Sequence, residues 1–308
     1  MSRSIWALPL IGLVAMMTAG CNMTRLAAKQ TTAVMLKAVP SYDRESDLEF
    51  AEQSSLSNLK MMEGLLEVTP DDKDLLLLTS SSFTRYAFGF FEEKIEIAEV
   101  GYDFEAKGKL SKRAIDFYGR GKDYAVRAMA ESRKDFPKVL DKDLEALSAE
   151  LRQCGREHVA ALFWTAFSWG SMINLQQSEP ARLAELGKVE LLMQRIMELD
   201  ETFFFGGPHL FYGTYYGTRS EMLGGDPPRA KKHLLRAIEI TQGKFLMSRF
   251  MLAKGFAVQT QDRELFEKTL KEILAAAPDL YPEQRLANEL TKRRAARLLT
   301  RIDDLFFE

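Results

Sequence analysis

Histidine and cysteine are almost missing from this chain, with three of the first and two of the second among 308 residues. His158, His209 and His233 stand apart. None has another His, a Cys or a carboxylate at metal-ligand spacing, such as a His pair four apart with a Glu between. The chain also lacks a GxSxG, a P-loop and a Gly-rich dinucleotide turn. No catalytic activity, metal or cofactor is therefore expected. Proline is sparse at 10, and no stretch alternates apolar and polar residues between turn signals, which argues against a sheet protein. An excess of one charge is missing too. Lys and Arg number 42 against 44 Asp and Glu, so no field exists to draw in nucleic acid.

What is present begins with an apolar run from Ile5 to Met17, interrupted only by Pro9 and Gly12. It follows Arg3 and precedes the small residues Thr18-Ala19-Gly20 and then Cys21. Such a run is short for a permanent membrane span and matches a secretory leader. The small-small-Cys ending resembles the lipobox of bacterial lipoproteins, although Thr18 stands where that family usually has Leu. The resemblance implies a leader over 1–20, diacylation of Cys21, a tether and first helix over 21–44, and a main domain over 45–308. Two acyl chains give stable anchoring. Asn22 is not the Asp that retains such proteins in the inner membrane of enteric bacteria, so a periplasmic protein on the outer membrane is favoured over one on the inner. Two alternatives stay open, a plain secretory leader with a chance cysteine and a Cys21–Cys154 disulfide. With Cys21 lipidated, Cys154 is expected to be a thiol buried within a helix.

Helical spacing dominates the remainder. A first helix is expected over Leu26 to Ala38, ended by Pro40. Leu48, Leu56, Leu59, Met62, Leu65 and Leu66 mark the next, stopped by Thr69-Pro70-Asp71-Asp72. Further helices are expected over 75–99, then 111–134 after a loop holding Gly101 and Gly108, and 141–177 with a break near Gly155. The rest span 181–200, 208–221, 227–241, 244–260, 262–276 and 282–307. Val159 to Trp169 is apolar on all sides and reads as core.

Helix pairs invite a search for repeats. Tyr212-Gly213-x-x-Tyr216, followed by Ala230, Leu234 and Ala237, has the spacing of a TPR pair, in which Gly admits a close helix and the large residue fills the gap. Fainter units follow Trp169-Gly170 and Leu252-Ala253. The expected fold is thus all-α, with stacked antiparallel helix pairs forming a degenerate TPR-like superhelix.

Glu92, Glu93, Glu96 and Glu99 read as a solvated helix face. So does the basic run Lys292-Arg293-Arg294 with Arg297 and Arg301. Rings gather beside glycines at Tyr86 to Phe91, Phe163 to Trp169, Phe203 to Phe205 and Tyr212 to Tyr216. They either fill the core or line an apolar pocket, and mostly apolar walls with a few polar groups describe small-ligand sites. The pocket candidates are Tyr86, Phe90, Trp164, Trp169, Asn174, Tyr212, Tyr215 and Tyr216.

Taken together these segments resemble the TatT family, the T-component lipoproteins of TRAP (tripartite ATP-independent periplasmic) transporters. The resemblance rests on Leu75-Leu-Leu-Leu with Tyr86-Ala-Phe-Gly-Phe90, Ala161-Leu-Phe-Trp164 through Trp169-Gly-Ser-Met-Ile-Asn174, and Gly207-Pro-His-Leu-Phe-Tyr-Gly-Thr-Tyr-Tyr216. Gly224-Gly-Asp-Pro227, Gln261-Asp-Arg-Glu-Leu-Phe266 and Arg285-Leu-Ala-Asn288 extend it across the mature chain. It implies a periplasmic lipoprotein that forms a homo-oligomer with ligand-sized channels, associates with the substrate-binding protein of a TRAP transporter and takes a small organic ligand. The alternative is a TPR scaffold lipoprotein for outer-membrane assembly or secretin piloting.

Overall fold

Aspartate sets six of the helix starts. In a computed structural model that describes residues 7–219, 222 and 224–306, with side chains from residue 23 onward, the carboxylates of Asp47, Asp72, Asp103, Asp143, Asp226 and Asp262 accept first-turn backbone N–H groups. Each satisfies a donor with no partner inside its helix, worth about 1 kcal/mol. The chain is all-α. Among the described residues no strand occurs, and no helix is long and apolar enough to cross a membrane.

The order is α1 (Ala7–Asp43), α2 (Leu48–Val68), α3 (Lys73–Tyr86), a π-helical stretch (Ala87–Phe91), α4 (Glu92–Val100) and α5 (Phe104–Ala130). Next come α6 (Phe136–Leu140), α7 (Leu144–Leu151), a 3-10 turn (Arg156–His158), α8 (Val159–Leu175), α9 (Pro180–Leu183) and α10 (Leu186–Leu199). The C-terminal third holds α11 (Phe203–Gly217), α12 (Pro227–Ile240), α13 (Leu246–Met251), a second π-helical stretch (Leu252–Ala257), α14 (Arg263–Ala275), a 3-10 turn (Pro282–Gln284), α15 (Arg285–Leu299) and α16 (Ile302–Leu305).

Several boundaries differ from expectation, each for a local reason. Pro40 does not end the first helix but sits inside the last turn of α1, where its missing N–H removes a single ladder bond near an end. Gly108 lies within α5, because the Asp103 cap starts that helix ahead of it. Cys154 is a buried free thiol, as expected, yet it sits in the turn after α7 and not in a helix. Burial pushes its thiol up to about 11, which leaves it an inert packing group. Cys21 lies in the part of α1 whose side chains are outside the description.

α5 packs between α3 and α8, α10 covers α8, and α11 lies along α12. At this last pair the close approach expected of Gly213 and Leu234 is present. A Cβ at Gly213 would stand 2.5 Å from Leu234 Cγ, so only glycine lets the helices come this close. Ala230, Leu234 and Ala237 are all fully buried beneath α11.

Three of the four hydrophobic cores of the described residues adjoin. One joins α8, α10, α11 and α12, a second joins the first π stretch and α5 to Leu286 and Leu290 of α15, and a third joins α13, α14 and α15. Phe88 packs on the second and third, and Leu210 and Met251 pack on the first and third. The junction of these cores positions the candidate site.

Candidate functional site

Three departures from regular helix converge at that junction. The two π stretches are the first and second, each widening its helix by one residue, a feature common at functional sites. The third opens α11, where Phe204 (φ 47°), Phe205 (φ 61°) and Gly206 (φ 76°) are all left-handed. Gly206 takes this conformation freely, but each Phe costs on the order of 1–2 kcal/mol. Backbone strain of this kind persists only where the surroundings over-determine it.

The turn aims two phenylalanines into a continuous seam of rings. Phe88, in the first π stretch, meets Phe167 of α8 edge-on at 5.4 Å. Phe167 stacks on Trp164 at 6.1 Å, and Trp164 meets Phe204 at 4.7 Å. Phe204 contacts Phe205 at 5.2 Å, and Phe205 stacks on Phe245 at 4.6 Å. Phe163 joins Phe167 to Phe203 from the buried side. Phe88, Phe167, Phe203, Phe204 and Phe205 are only half-buried although they pack against the fully buried cores. Part of each of these residues is therefore left open to water along the seam.

The seam ends at Phe88 on a network of charges between α4 and α15. Arg294 is 1% exposed, and its guanidinium carbon lies 5.2 Å from the ring centres of both Phe88 and Phe250. Its Nε and Nη2 donate to the two oxygens of Glu96 at 3.1 and 2.7 Å. Glu96 also accepts from Arg297 at 2.8 Å and from Lys254, on the second π stretch, at 2.6 Å. Glu93 is buried and pairs with Arg293 and Arg297. Glu92 accepts from the Tyr118 hydroxyl at 2.6 Å.

Burial alone would raise the Glu96 carboxyl, but Arg294 and Lys254 outweigh it and hold the group well below its ordinary range. At Glu92 burial wins over Arg294 and Tyr118, and its carboxyl is pushed up. Burial and the neighbouring Glu92 push the Tyr118 hydroxyl well up. The expected solvated faces at Glu92–Glu96 and Arg293–Arg297 are thus corrected: they face each other, and all but Arg293 of the paired groups are largely removed from water. Helix-face periodicity cannot register a partner some 200 positions away.

The eight candidate residues fall in separate places. Trp164 belongs to the seam. Tyr86 and Phe90 pack with Phe91 and Phe117 in the second core, where the Tyr86 hydroxyl donates to Glu52 at 3.2 Å. Tyr212, Tyr215 and Tyr216 form a separate ring group on α11, with the Tyr215 hydroxyl donating to Glu190 at 3.0 Å. Trp169 donates its indole N–H to Glu185 at 2.6 Å. Asn174 is exposed at the end of α8 and accepts from Gln177 at 2.6 Å, away from any ring group.

The fold also joins histidines that are far apart in sequence. Glu201 accepts from His209 Nε2 at 3.0 Å, and His209 Nδ1 lies 2.9 Å from His233 Nδ1. With the Nε2 proton held by Glu201, His209 Nδ1 is the acceptor and His233 Nδ1 the donor. This chain of bonds straddles the left-handed turn and ties it to α12. Among the described residues no three His, Cys, Asp or Glu side chains are grouped to hold a metal ion.

The chain is thus an all-helical protein in which a seam of partly buried rings adjoins a network of paired charges. A family model described as TRAP transporter T-component matches residues 44–306, and the chain belongs to that family. It is also similar to an uncharacterized protein of Treponema pallidum (strain Nichols), 23% identical over 311 residues that cover 95% of each chain.

Proposed function

We propose that this chain is the lipid-anchored accessory component of a TRAP-type uptake system, carrying a small, partly apolar organic ligand along its ring seam. The observation that carries the reading is the half-burial of Phe88, Phe167 and Phe203 to Phe205 at the meeting of three closed cores. Exposed apolar rings at an interior junction forfeit burial free energy, roughly 25 cal/mol per Å² left in contact with water. A ligand that covers them recovers it.

In this reading the leader over 1–20 is removed and Cys21 carries the acyl chains. The protein stands in the periplasm, on the outer membrane in preference to the inner. Helix pairs such as α11 and α12, with Gly213 against Leu234, stack in TPR-like fashion and present a surface to the transporter's substrate-binding protein. Homo-oligomerisation belongs to the same proposal. The family match supports the transport assignment; the seam supports the ligand.

The test is affinity capture of the tagged lipoprotein from solubilised envelopes, with mass spectrometry of proteins and small molecules. A periplasmic solute receptor and a retained organic compound are expected. Recovery of pilus or porin-assembly components without a receptor would replace this reading with the scaffold alternative.

A further inference from the structure

The Arg294 guanidinium has a donor that nothing accepts. Its Nε–Nη2 edge is taken by Glu96, and Nη2 has Glu92 only at 3.8 Å. Nη1 is buried with no hydrogen-bond partner. A charged N–H group withdrawn from water without an acceptor is costly, and native structures rarely keep one idle. The charge count points the same way. The network holds Lys254, Arg293, Arg294 and Arg297 against Glu92, Glu93 and Glu96, four cations to three carboxylates. Arg293 and Lys254 reach solvent, whereas Arg294 is 1% exposed and keeps the unmet donor.

That place adjoins the seam. Phe88 is shared, with Arg294 at 5.2 Å on one side and Phe167 at 5.4 Å on the other. It is only partly buried and sits on a π stretch. Resting on the ligand-binding reading of the seam above, we propose that the free edge of Arg294 binds the carboxylate of an amphipathic organic acid whose apolar body lies along Phe88, Phe167 and Trp164. A planar guanidinium edge presents paired N–H groups at the spacing of carboxylate oxygens. The Phe88 ring turns aside to admit the head group.

The test uses the purified protein and the fluorescence of N-phenyl-1-naphthylamine, a neutral apolar probe, displaced by 4-phenylbutyrate or by 4-phenylbutan-1-ol. The two competitors share an apolar body and differ in the head group. The acid is expected to displace the probe at a concentration at least about ten-fold below the alcohol, the factor set by one charge-assisted hydrogen bond. Arg294→Met should abolish that advantage, while Arg293→Gln, which lowers the charge equally but leaves the free edge, should retain it. Should Arg294→Met fail to fold, the comparison of acid and alcohol on the unaltered protein still decides. Equal displacement by both competitors, or equal loss in both variants, overturns the carboxylate site and leaves the seam standing. A probe that fails to bind at all overturns the seam reading, and this proposal with it.

Discussion

Replacing Arg294 by Met tests whether the network between α4 and α15 is structural capital or a surface ornament. Met matches the length of the side chain and keeps the contact with Phe88 and Phe250, so the change isolates the charge. Removing one partner of a buried ion pair costs about 3–5 kcal/mol, because the other charge stays buried and uncompensated. Glu96 would keep Arg297 and Lys254, which puts the expectation at the lower end, about 3 kcal/mol. Urea unfolding followed by circular dichroism measures it. The double variant Arg294→Met/Glu96→Gln should be more stable than the sum of the single losses predicts, by about 1–3 kcal/mol, since neutralising Glu96 removes the stranded charge. The pH dependence has a definite sign. Glu96 is held below its ordinary value of 4.5, so its contribution is full above that pH and is lost as pH falls through the folded value. The gap between the unaltered protein and Glu96→Gln should therefore close in acid. A loss below about 1 kcal/mol for Arg294→Met, the scale of an exposed pair, or strict additivity in the double variant, would refute the reasoning.

Gly213→Ala should destabilise the protein by about 1–3 kcal/mol in the same urea assay, because its new methyl meets Leu234, and pairing it with Leu234→Val should restore part of the loss. Gly206→Ala should also destabilise, through a φ of 76° and a methyl 3.3 Å from Ala237 Cα. Gln242→Gly, at an exposed φ of 54°, should be neutral or stabilising; losses at both positions would undo the conformational argument. Burial and the adjoining His209 hold the His233 imidazole down to about 4 from 6.5, so the unfolded chain binds more protons between those values. Stability should then fall as pH drops from about 6.5 toward 4, and His233→Gln should flatten that slope in thermal melts taken across the range.

Sequence periodicity reached the all-α class and most helix positions because an apolar stripe reports burial directly. The pairing of Gly213 with Leu234 was legible for the same reason, as both residues lie on stripes that must face each other. Features that depend on distant partners were not. Glu93 and Arg294 look like surface charges on their own helices and become interior only when α4 meets α15. His209 and His233 gain their shared bond only because α11 folds back along α12. The π stretches and the left-handed Phe204–Phe205 turn carry no propensity signal, since Phe disfavours that backbone and tertiary contacts impose it. Within the candidate list, Trp164 lies in the seam, whereas Asn174, expected as a polar group of a pocket, lies on the surface. Phe88, Phe167 and Phe204, which build the seam, stood in the ring-rich segments but could not be told apart from core phenylalanines by spacing.

Xenon enters apolar cavities and leaves polar clefts empty, so diffraction from xenon-pressurised crystals measures most directly whether the ring seam encloses ligand-sized space. Anomalous peaks are expected among Phe88, Phe167 and Phe204. Xenon bound only elsewhere, with those rings closed against one another, would contradict the account.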